Sequence, residues 1–176
     1  MSTTSNTVLK IMNVVFWIVF IGLCIKTGAI ITSFCISLFV NAQGASDLYM
    51  GLNLGELYAF SKYHYIATVS LLIALYGIKA YIAYLVVKIF MKFNYSSPFN
   101  SEVTALITRI SYYALNAGVL SIIASGYTKW LMNHQGVNVP IDWAGEEILF
   151  FAGVLYIVSL VFKKGTELQT ENDLTV

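Results

Sequence analysis

The stretch "IMNVVFWIVFIGLCIKTGAIITSFCISLFV" (residues 11–40) decides the fold of this chain, because it carries only one charged residue, Lys26. About 20 consecutive apolar residues are enough to cross a bilayer as an α-helix. A secretory signal peptide has an apolar core of only about 7 to 15 residues, which is much shorter than this run. The stretch therefore predicts an uncleaved first helix that spans a membrane.

Three more apolar runs follow, at about residues 64–93, 103–131 and 146–162. None shows the alternating pattern of a barrel strand, and backbone groups in lipid must pair within the protein, so each run predicts a helix. The composition agrees, since 58% of the 176 residues are hydrophobic and only 11% are charged, with a mean hydropathy of +0.74. That is far too apolar for a soluble domain. The sequence predicts an all-α integral membrane bundle of four transmembrane helices, in a single membrane domain.

The connections between the predicted spans contain helix breakers and capping residues. In the first connection, "SDLYMGLNLGELYAF" (residues 46–60) predicts a short amphipathic helix that lies on the outer membrane surface. In the turn at 94–102, Pro98 is expected to end the second span. Asn100 or Ser101 is then expected to cap the third span.

Basic residues near the span ends predict the orientation of the chain. By the positive-inside rule, the side with more Lys and Arg faces the cytoplasm. One side has Lys10, Lys88, Lys92, Arg109, Lys163 and Lys164, whereas the other has only Lys62 and Lys129. We therefore expect both termini to be cytoplasmic, with residues 163–176 as a cytoplasmic tail.

Several polar residues lie inside the apolar runs or at their outer ends. A charged side chain at bilayer depth costs a few kcal/mol or more, so it usually faces the bundle interior and has a partner. Counting from the basic anchor of each helix at about 1.5 Å per residue places Lys26, Lys79 and Glu147 about 20 to 24 Å from the cytoplasmic side. The same count from Glu102 puts Asn116 at a similar depth. The predicted members of this polar layer are Lys26, Lys79, Asn116, Glu146 and Glu147.

Three roles are open for the polar layer. It could be an ion-pair network that fixes the helix register, or a site for an anionic or zwitterionic ligand such as a lipid headgroup, a peptide terminus or a small metabolite. It could also exchange protons or ions between its lysines and glutamates. Transport would require a homo-oligomer or a larger assembly, because one four-helix protomer is small for alternating access and no interrupted half-helix marks a midplane site.

The sequence gives no positive support for enzymatic chemistry. It contains no Walker-type phosphate loop, no GxSxG elbow and no HExxH motif. His64 and His134 belong to outer loops, so the paired intramembrane histidines of a haem site are absent, and no short ligand spacing supports a zinc site there. Cys24 and Cys35 lie in one helix and cannot pair. We expect a non-enzymatic protein without cofactor or metal and, since 10 basic residues nearly balance 9 acidic ones, without direct nucleic-acid binding.

The end of the chain carries its most specific motif, "FKKGTELQTENDLTV" (residues 162–176). It resembles the C-terminal signature of a bacterial family of four-span membrane proteins known as domain of unknown function 2975. Members commonly end in a phenylalanine, a basic residue and a glycine, then an acidic stretch that closes on "ENDLT" and an aliphatic residue. "SPFNSE" (97–102) and "GIKAYIAYLVVKIF" (77–90) also resemble that family. The resemblance covers essentially the whole chain and implies a protein of a bacterial inner membrane, with no catalytic residues to carry over.

Members of that family are often encoded beside very small helix-turn-helix regulators, which implies a membrane partner that holds or releases a transcription factor. The predicted docking residues are Glu167, Glu171 and Asp173. If the last span continues as a helix, Glu167 and Glu171 share one face and can meet a basic DNA-binding surface. A regulator bound there could not contact DNA phosphates at the same time.

Two alternatives to this hypothesis stay open. The tail could merely cap the last helix, with Gly165 as its C-terminal break. The protein could instead bind or transport a small ligand or a lipid through the polar layer. The leading hypothesis is a non-enzymatic membrane regulator that docks a small cytosolic DNA-binding protein.

Overall fold

The computed structural model describes residues 3–93 and 99–174, apart from the side chains of residues 3–6, 173 and 174. Within those ranges the chain is helical and contains no strand. The helices are α1 Thr3–Phe39, α2 Gly55–Phe60, α3 Lys62–Lys92, α4 Ser101–Gln135 and α5 Gly145–Leu174, with a 3₁₀ turn at Ala42–Ala45. Helices α1, α3, α4 and α5 are long and apolar enough to cross a membrane. The predicted all-α fold of a multi-pass membrane protein with four long helices is confirmed.

Local sequence signals set the two ends of α4. The backbone N–H of Val103 donates to the Asn100 side chain (2.8 Å), which satisfies a helix N–H that has no partner within the helix. This confirms Asn100 as one of the two predicted caps. At the other end Gly136 has φ +69°, a left-handed conformation that glycine adopts without a Cβ clash. Pro98 lies outside the described residues.

The four long helices form an open bundle. Helix α1 packs against α3, α3 against α4, and α4 against α5. In the described parts of the chain, α1 does not pack against α4 or α5, and α3 does not pack against α5. We call the end with residues 40–61 and 136–144 the loop end, and the opposite end, where α5 finishes, the tail end. Side chains on α1 and α5 therefore lie on opposite sides of the bundle.

The loop end has a packed apolar core of its own. The side chains of Leu48, Leu54 and Leu57 are fully buried against α1 and α3. Only Gly55–Phe60 is α-helical in the stretch where the sequence predicted a surface helix over 46–60. The predicted extent is therefore wrong, because these leucines are buried within the protein instead of lying flat on lipid.

Helices α4 and α5 approach each other closely. A Cβ atom added at Gly118 of α4 would lie 3.0 Å from the Leu149 Cα of α5, and one added at Gly145 of α5 would lie 3.1 Å from the Ile122 backbone nitrogen. Small residues let helix backbones approach and gain van der Waals contact where lipid gives no hydrophobic driving force. This interface fixes α5, which carries the first-turn acids at the loop end and the motif at the tail end.

Candidate functional site

Two of the predicted polar-layer residues meet at one aromatic ring. The Lys26 ammonium of α1 lies 4.2 Å from the ring centroid of Tyr76 in α3. The Lys79 ammonium lies 5.3 Å from the same centroid, and Lys26 also lies 5.5 Å from the ring of Tyr49 in the first loop. We call Lys26, Lys79, Tyr76 and Tyr49 the lysine-pair site.

Both lysines of this site are half-buried. Among the described residues, neither makes an ion pair or a hydrogen bond to a side chain. A lysine over a tyrosine ring gains about 0.5 to 2 kcal/mol from the negative face of the ring. The ring has no net charge, however, so two positive charges converge there without a carboxylate.

Asn116 lies at a similar height but on a separate surface. It is exposed on α4, three residues after Tyr113, whose ring packs on Tyr81 of α3 with centroids 4.7 Å apart. Within the described ranges the Asn116 side chain makes no hydrogen bond. The structure therefore does not bring it to the lysine-pair site.

Glu146 and Glu147 lie in the first turn of α5 and line a different space, a cavity of about 510 Å³ at the loop end. Lys129 and Ser125 of α4 form one wall, and Asp142 of the preceding loop forms another. The acidic side chains and the lysine are exposed. The cavity therefore offers both signs of charge to a ligand from solvent.

The structure thus divides the predicted polar layer into separate groups. In the described ranges the two salt bridges are Lys92–Glu102 (2.8 Å) and Lys164–Glu167 (3.2 Å), and neither includes a member of the layer. Of the three roles left open for the layer, the ion-pair network is therefore not formed within the described ranges, because α1 does not pack against α5. Whether either group binds a ligand stays a prediction.

At the tail end, α5 continues as a helix to Leu174. Glu167 and Glu171 are both exposed on this extension, as the helical spacing predicted. Asp173 belongs to the helix, but its side chain lies outside the described residues. The alternative in which Gly165 ends the helix is wrong, since α5 passes through Gly165 for nine more residues.

A close contact explains the glycine at this position. A Cβ atom at Gly165 would lie only 2.6 Å from Phe99 Cδ1, and the Phe99 ring also packs on Phe162 with centroids 5.3 Å apart. Thr166 Oγ1 donates to the Phe162 carbonyl (2.9 Å) and is 2.7 Å from Thr104 Oγ1 of α4. Because Thr166 donates its proton to the carbonyl, Thr104 is the donor in the second bond.

These contacts hold the beginning of the tail against α4. They also close one side of a cavity of about 490 Å³ between the two helices at the tail end. Its polar lining residues are Ser101, Thr104, Thr108, Arg109, Tyr112, Lys163, Thr166 and Glu167. The sequence motif around Gly165 therefore positions the predicted docking residues.

The two histidines belong to one aromatic group at the loop end, because the Trp130 ring also lies 6.3 Å from the His64 ring. His64 Nδ1 is 2.6 Å from the Tyr127 hydroxyl, whereas His134 stacks on Trp130 with ring centroids 5.7 Å apart. In the described ranges no group of three or more His, Cys, Asp or Glu side chains is placed to hold a metal ion. Both histidines are thus accounted for by contacts within the protein.

No family model, curated protein or solved structure matches this chain. The resemblance to domain of unknown function 2975 therefore stays a prediction. Sequence reasoning had located the lysines but missed Tyr76 and Tyr49 as their shared partners. The available signal was position, because Tyr76 precedes Lys79 by one helical turn. Tyr49, in an irregular loop, gave no such signal.

Proposed function

We propose that this protein is a non-enzymatic membrane regulator whose tail end docks a small cytosolic DNA-binding protein of the helix-turn-helix class. The observation that carries the proposal is the continuation of α5 as an ordered helix to Leu174, beyond Lys163 and Lys164. In this proposal both termini are cytoplasmic, as the distribution of basic residues indicates. The partner class follows from the family resemblance.

The exposed face of the extension suits a basic partner with an apolar contact. Leu168 is 51% exposed and lies between Glu167 and Glu171 in sequence. An exposed apolar side chain next to carboxylates can anchor a partner while the charges orient its approach. Glu167 pairs with Lys164 at 3.2 Å, but both side chains are about half exposed or more. Such surface pairs contribute little, so a cationic partner can replace this one.

Anchoring of the tail favours docking over a flexible acidic end. Thr104 and Phe99 hold α5 at Thr166 and Gly165, so the following residues leave the bundle in a fixed direction. A preorganised helix does not have to lose conformational freedom when it binds. Acidic side chains that cover the DNA-binding surface of a regulator would then compete directly with DNA phosphates.

The test uses the full-length protein in nanodiscs and a small helix-turn-helix protein, which the family resemblance predicts to be encoded next to it. The DNA-binding protein is first bound to fluorescent operator DNA, and release is followed by fluorescence anisotropy as nanodiscs are added. We expect wild-type nanodiscs to release the DNA, and Glu167→Lys with Glu171→Lys to weaken this release by about tenfold or more. Glu56→Lys, an exposed substitution at the loop end, is the matched control.

Two results would overturn the docking proposal. One is that wild-type nanodiscs leave the regulator on its DNA at every concentration. The other is that the tail variant and Glu56→Lys behave alike, which would assign any release to general charge. Both variants alter exposed side chains, so we expect both to fold. Gel filtration and circular dichroism check this.

A second candidate function is small-ligand binding in the loop-end cavity. Its supporting observation is the approach of Lys129 to the acidic side chains Asp142, Glu146 and Glu147 around about 510 Å³ of open space. Charges of both signs suit a zwitterion such as an amino acid or a peptide terminus. Isothermal titration with a set of amino acids, repeated on Glu147→Gln, tests it. Identical heats for the variant and the wild type would eliminate this candidate.

A further inference from the structure

We propose that Lys26 and Lys79 form a binding site for a phosphate group, supplied by the headgroup of an anionic phospholipid. This inference concerns a site about midway along α1 and α3, and it does not depend on docking at the tail end. It starts from the convergence of two ammonium groups on the single ring of Tyr76, at 4.2 and 5.3 Å.

Electrostatics favours an anion at this arrangement of two cations. Both ammonium groups are measured to the same centroid, so they cannot lie further apart than the sum of those two distances. In the described parts of the chain no carboxylate lies within ion-pair distance of either ammonium group to offset their mutual repulsion. Cations at bilayer depth normally pair with an acid or mark a binding site. An anion between the two lysines would turn a repulsive pair into two charge-assisted contacts.

Lys26 lies where the exposed apolar surface of α1 meets the buried core. Ile25, next to Lys26 on the tail side, is 62% exposed and belongs to the exposed apolar surface of α1. Ile30, one turn toward the loop end, is fully buried in the loop-end core. Tyr49 of that core reaches to 5.5 Å from Lys26. A group that is anionic at its head and apolar in its chains fits a site that has packed protein on one side and lipid on the other.

Other lysine–tyrosine contacts in the protein lack this convergence. Lys62 lies 5.5 Å from the ring of Tyr58, and Lys88 lies 4.6 Å from the ring of Tyr84. Among the described residues, each of these rings is contacted by one lysine, whereas the Tyr76 ring is contacted by two. Lys62 is therefore a matched control, because it offers the same kind of contact at the loop end with a single charge.

The experiment measures lipid retention by native mass spectrometry. Full-length protein is reconstituted in phosphatidylcholine nanodiscs that contain a minor share of phosphatidylglycerol, and the lipids that remain bound are counted after release from the disc. We expect wild type to retain phosphatidylglycerol in preference to phosphatidylcholine. Lys26→Gln with Lys79→Gln should weaken this retention by about a hundredfold, or about tenfold for each lysine. Lys62→Gln should retain the lipid as wild type does.

A second arm separates a lipid from a soluble phosphate. Inorganic phosphate is added to wild type in pure phosphatidylcholine discs, with sulfate as the comparison anion, and the midpoint of thermal unfolding is recorded. A phosphate-specific rise that is lost in the double variant would support the phosphate site and assign it to a soluble ligand. No rise, together with selective lipid retention, would support the lipid headgroup.

The inference is overturned if wild type retains both lipids equally and does not respond to phosphate. It is also overturned if the folded double variant retains phosphatidylglycerol as wild type does. If the double variant does not fold, Lys26→Arg with Lys79→Arg keeps both charges and should keep the lipid preference. Loss of that preference in a folded arginine variant would contradict a site built on two cations.

Discussion

The contact between Gly165 and Phe99 makes a quantitative prediction about the tail. In Gly165→Ala, the new Cβ would lie 2.6 Å from Phe99 Cδ1 and 2.9 Å from Cε1. Neither distance is compatible with van der Waals contact, so the ring must move. Movement also disturbs the packing of Phe99 on Phe162, whose centroid is 5.3 Å away.

The magnitude follows from two opposing effects. Alanine in place of a glycine within a helix normally stabilises by about 0.5 to 1 kcal/mol. Overpacking costs about 1 to 3 kcal/mol, and part of an aromatic contact worth about 0.5 to 1.5 kcal/mol is lost as well. We expect a net destabilisation of the tail by about 1 to 2 kcal/mol. Gly153→Ala, in the same helix with nothing within 4 Å of its added Cβ, should be neutral or slightly stabilising.

Hydrogen exchange with mass spectrometry on the full-length protein measures this difference locally. The amides of residues 166–174 should exchange faster in Gly165→Ala than in Gly153→Ala, by about fivefold to thirtyfold for a local destabilisation of about 1 to 2 kcal/mol. Because the clash needs the ring, Phe99→Ala should remove the penalty. In the Phe99→Ala background, Gly165→Ala should slow exchange through its helix propensity.

Equal exchange in the two alanine variants would refute the packing explanation for Gly165. So would additivity in the double-mutant cycle, since residues in contact should show a coupling of about 0.5 kcal/mol or more. Either outcome would show that contact with Phe99 does not explain the glycine at position 165. Docking of a partner is a separate question, since the cycle measures only the tail helix.

Three further predictions concern stability, each checked by the midpoint of thermal unfolding in detergent. Gly118→Ala should destabilise the α4–α5 interface by about 1 to 3 kcal/mol, whereas Gly126→Ala in the same helix, with open space around its added Cβ, should not. Ser37→Ala removes the 2.7 Å partner of the buried Tyr65 hydroxyl and should cost about 1 to 3 kcal/mol. Tyr65→Phe should cost less, because Ser37 keeps its bond to the Phe34 carbonyl. Lys92→Gln breaks an exposed ion pair and should change stability by less than about 1 kcal/mol.

The spans were predictable from sequence because lipid leaves an apolar segment with few choices of structure. The run at 11–40 corresponds to α1, and the cap at Asn100 was correct. The end of α5 was not predictable in the same way. A polar segment in water can either end a helix or continue it, and a glycine such as Gly165 is a common helix end. Here a ring from the 94–102 turn packs where a side chain would be, which only the tertiary structure reveals.

The position of each polar residue along its helix axis could be predicted from the sequence, but its neighbours on the other helices could not. Counting helical rises placed Lys26 and Lys79 together, and their shared contact with Tyr76 agrees. The same count placed Glu147 beside them, yet it lines a separate cavity. A rise per residue fixes position along the helix axis, whereas the order of helices around a bundle depends on how their faces pack. The sequence contains no simple period that reports this order.

The open order of the helices gives α5 a particular role. Helix α5 packs against α4 alone among the long helices in the described parts of the chain. Its first turn supplies the carboxylates of the loop-end cavity, and its last turns supply the exposed acids at the tail end. Glu147 and Glu167 lie 20 residues apart on this helix, which at about 1.5 Å per residue separates the two groups by roughly 30 Å. The α4–α5 interface therefore sets the direction of both acidic groups. The two backbones approach closely at Gly118, and the hydroxyls of Thr104 and Thr166 form a hydrogen bond across the interface. A change in the tilt of α5 on α4 would move the cavity wall and the tail together, whereas the lysine-pair site, built on α1 and α3, would stay in place.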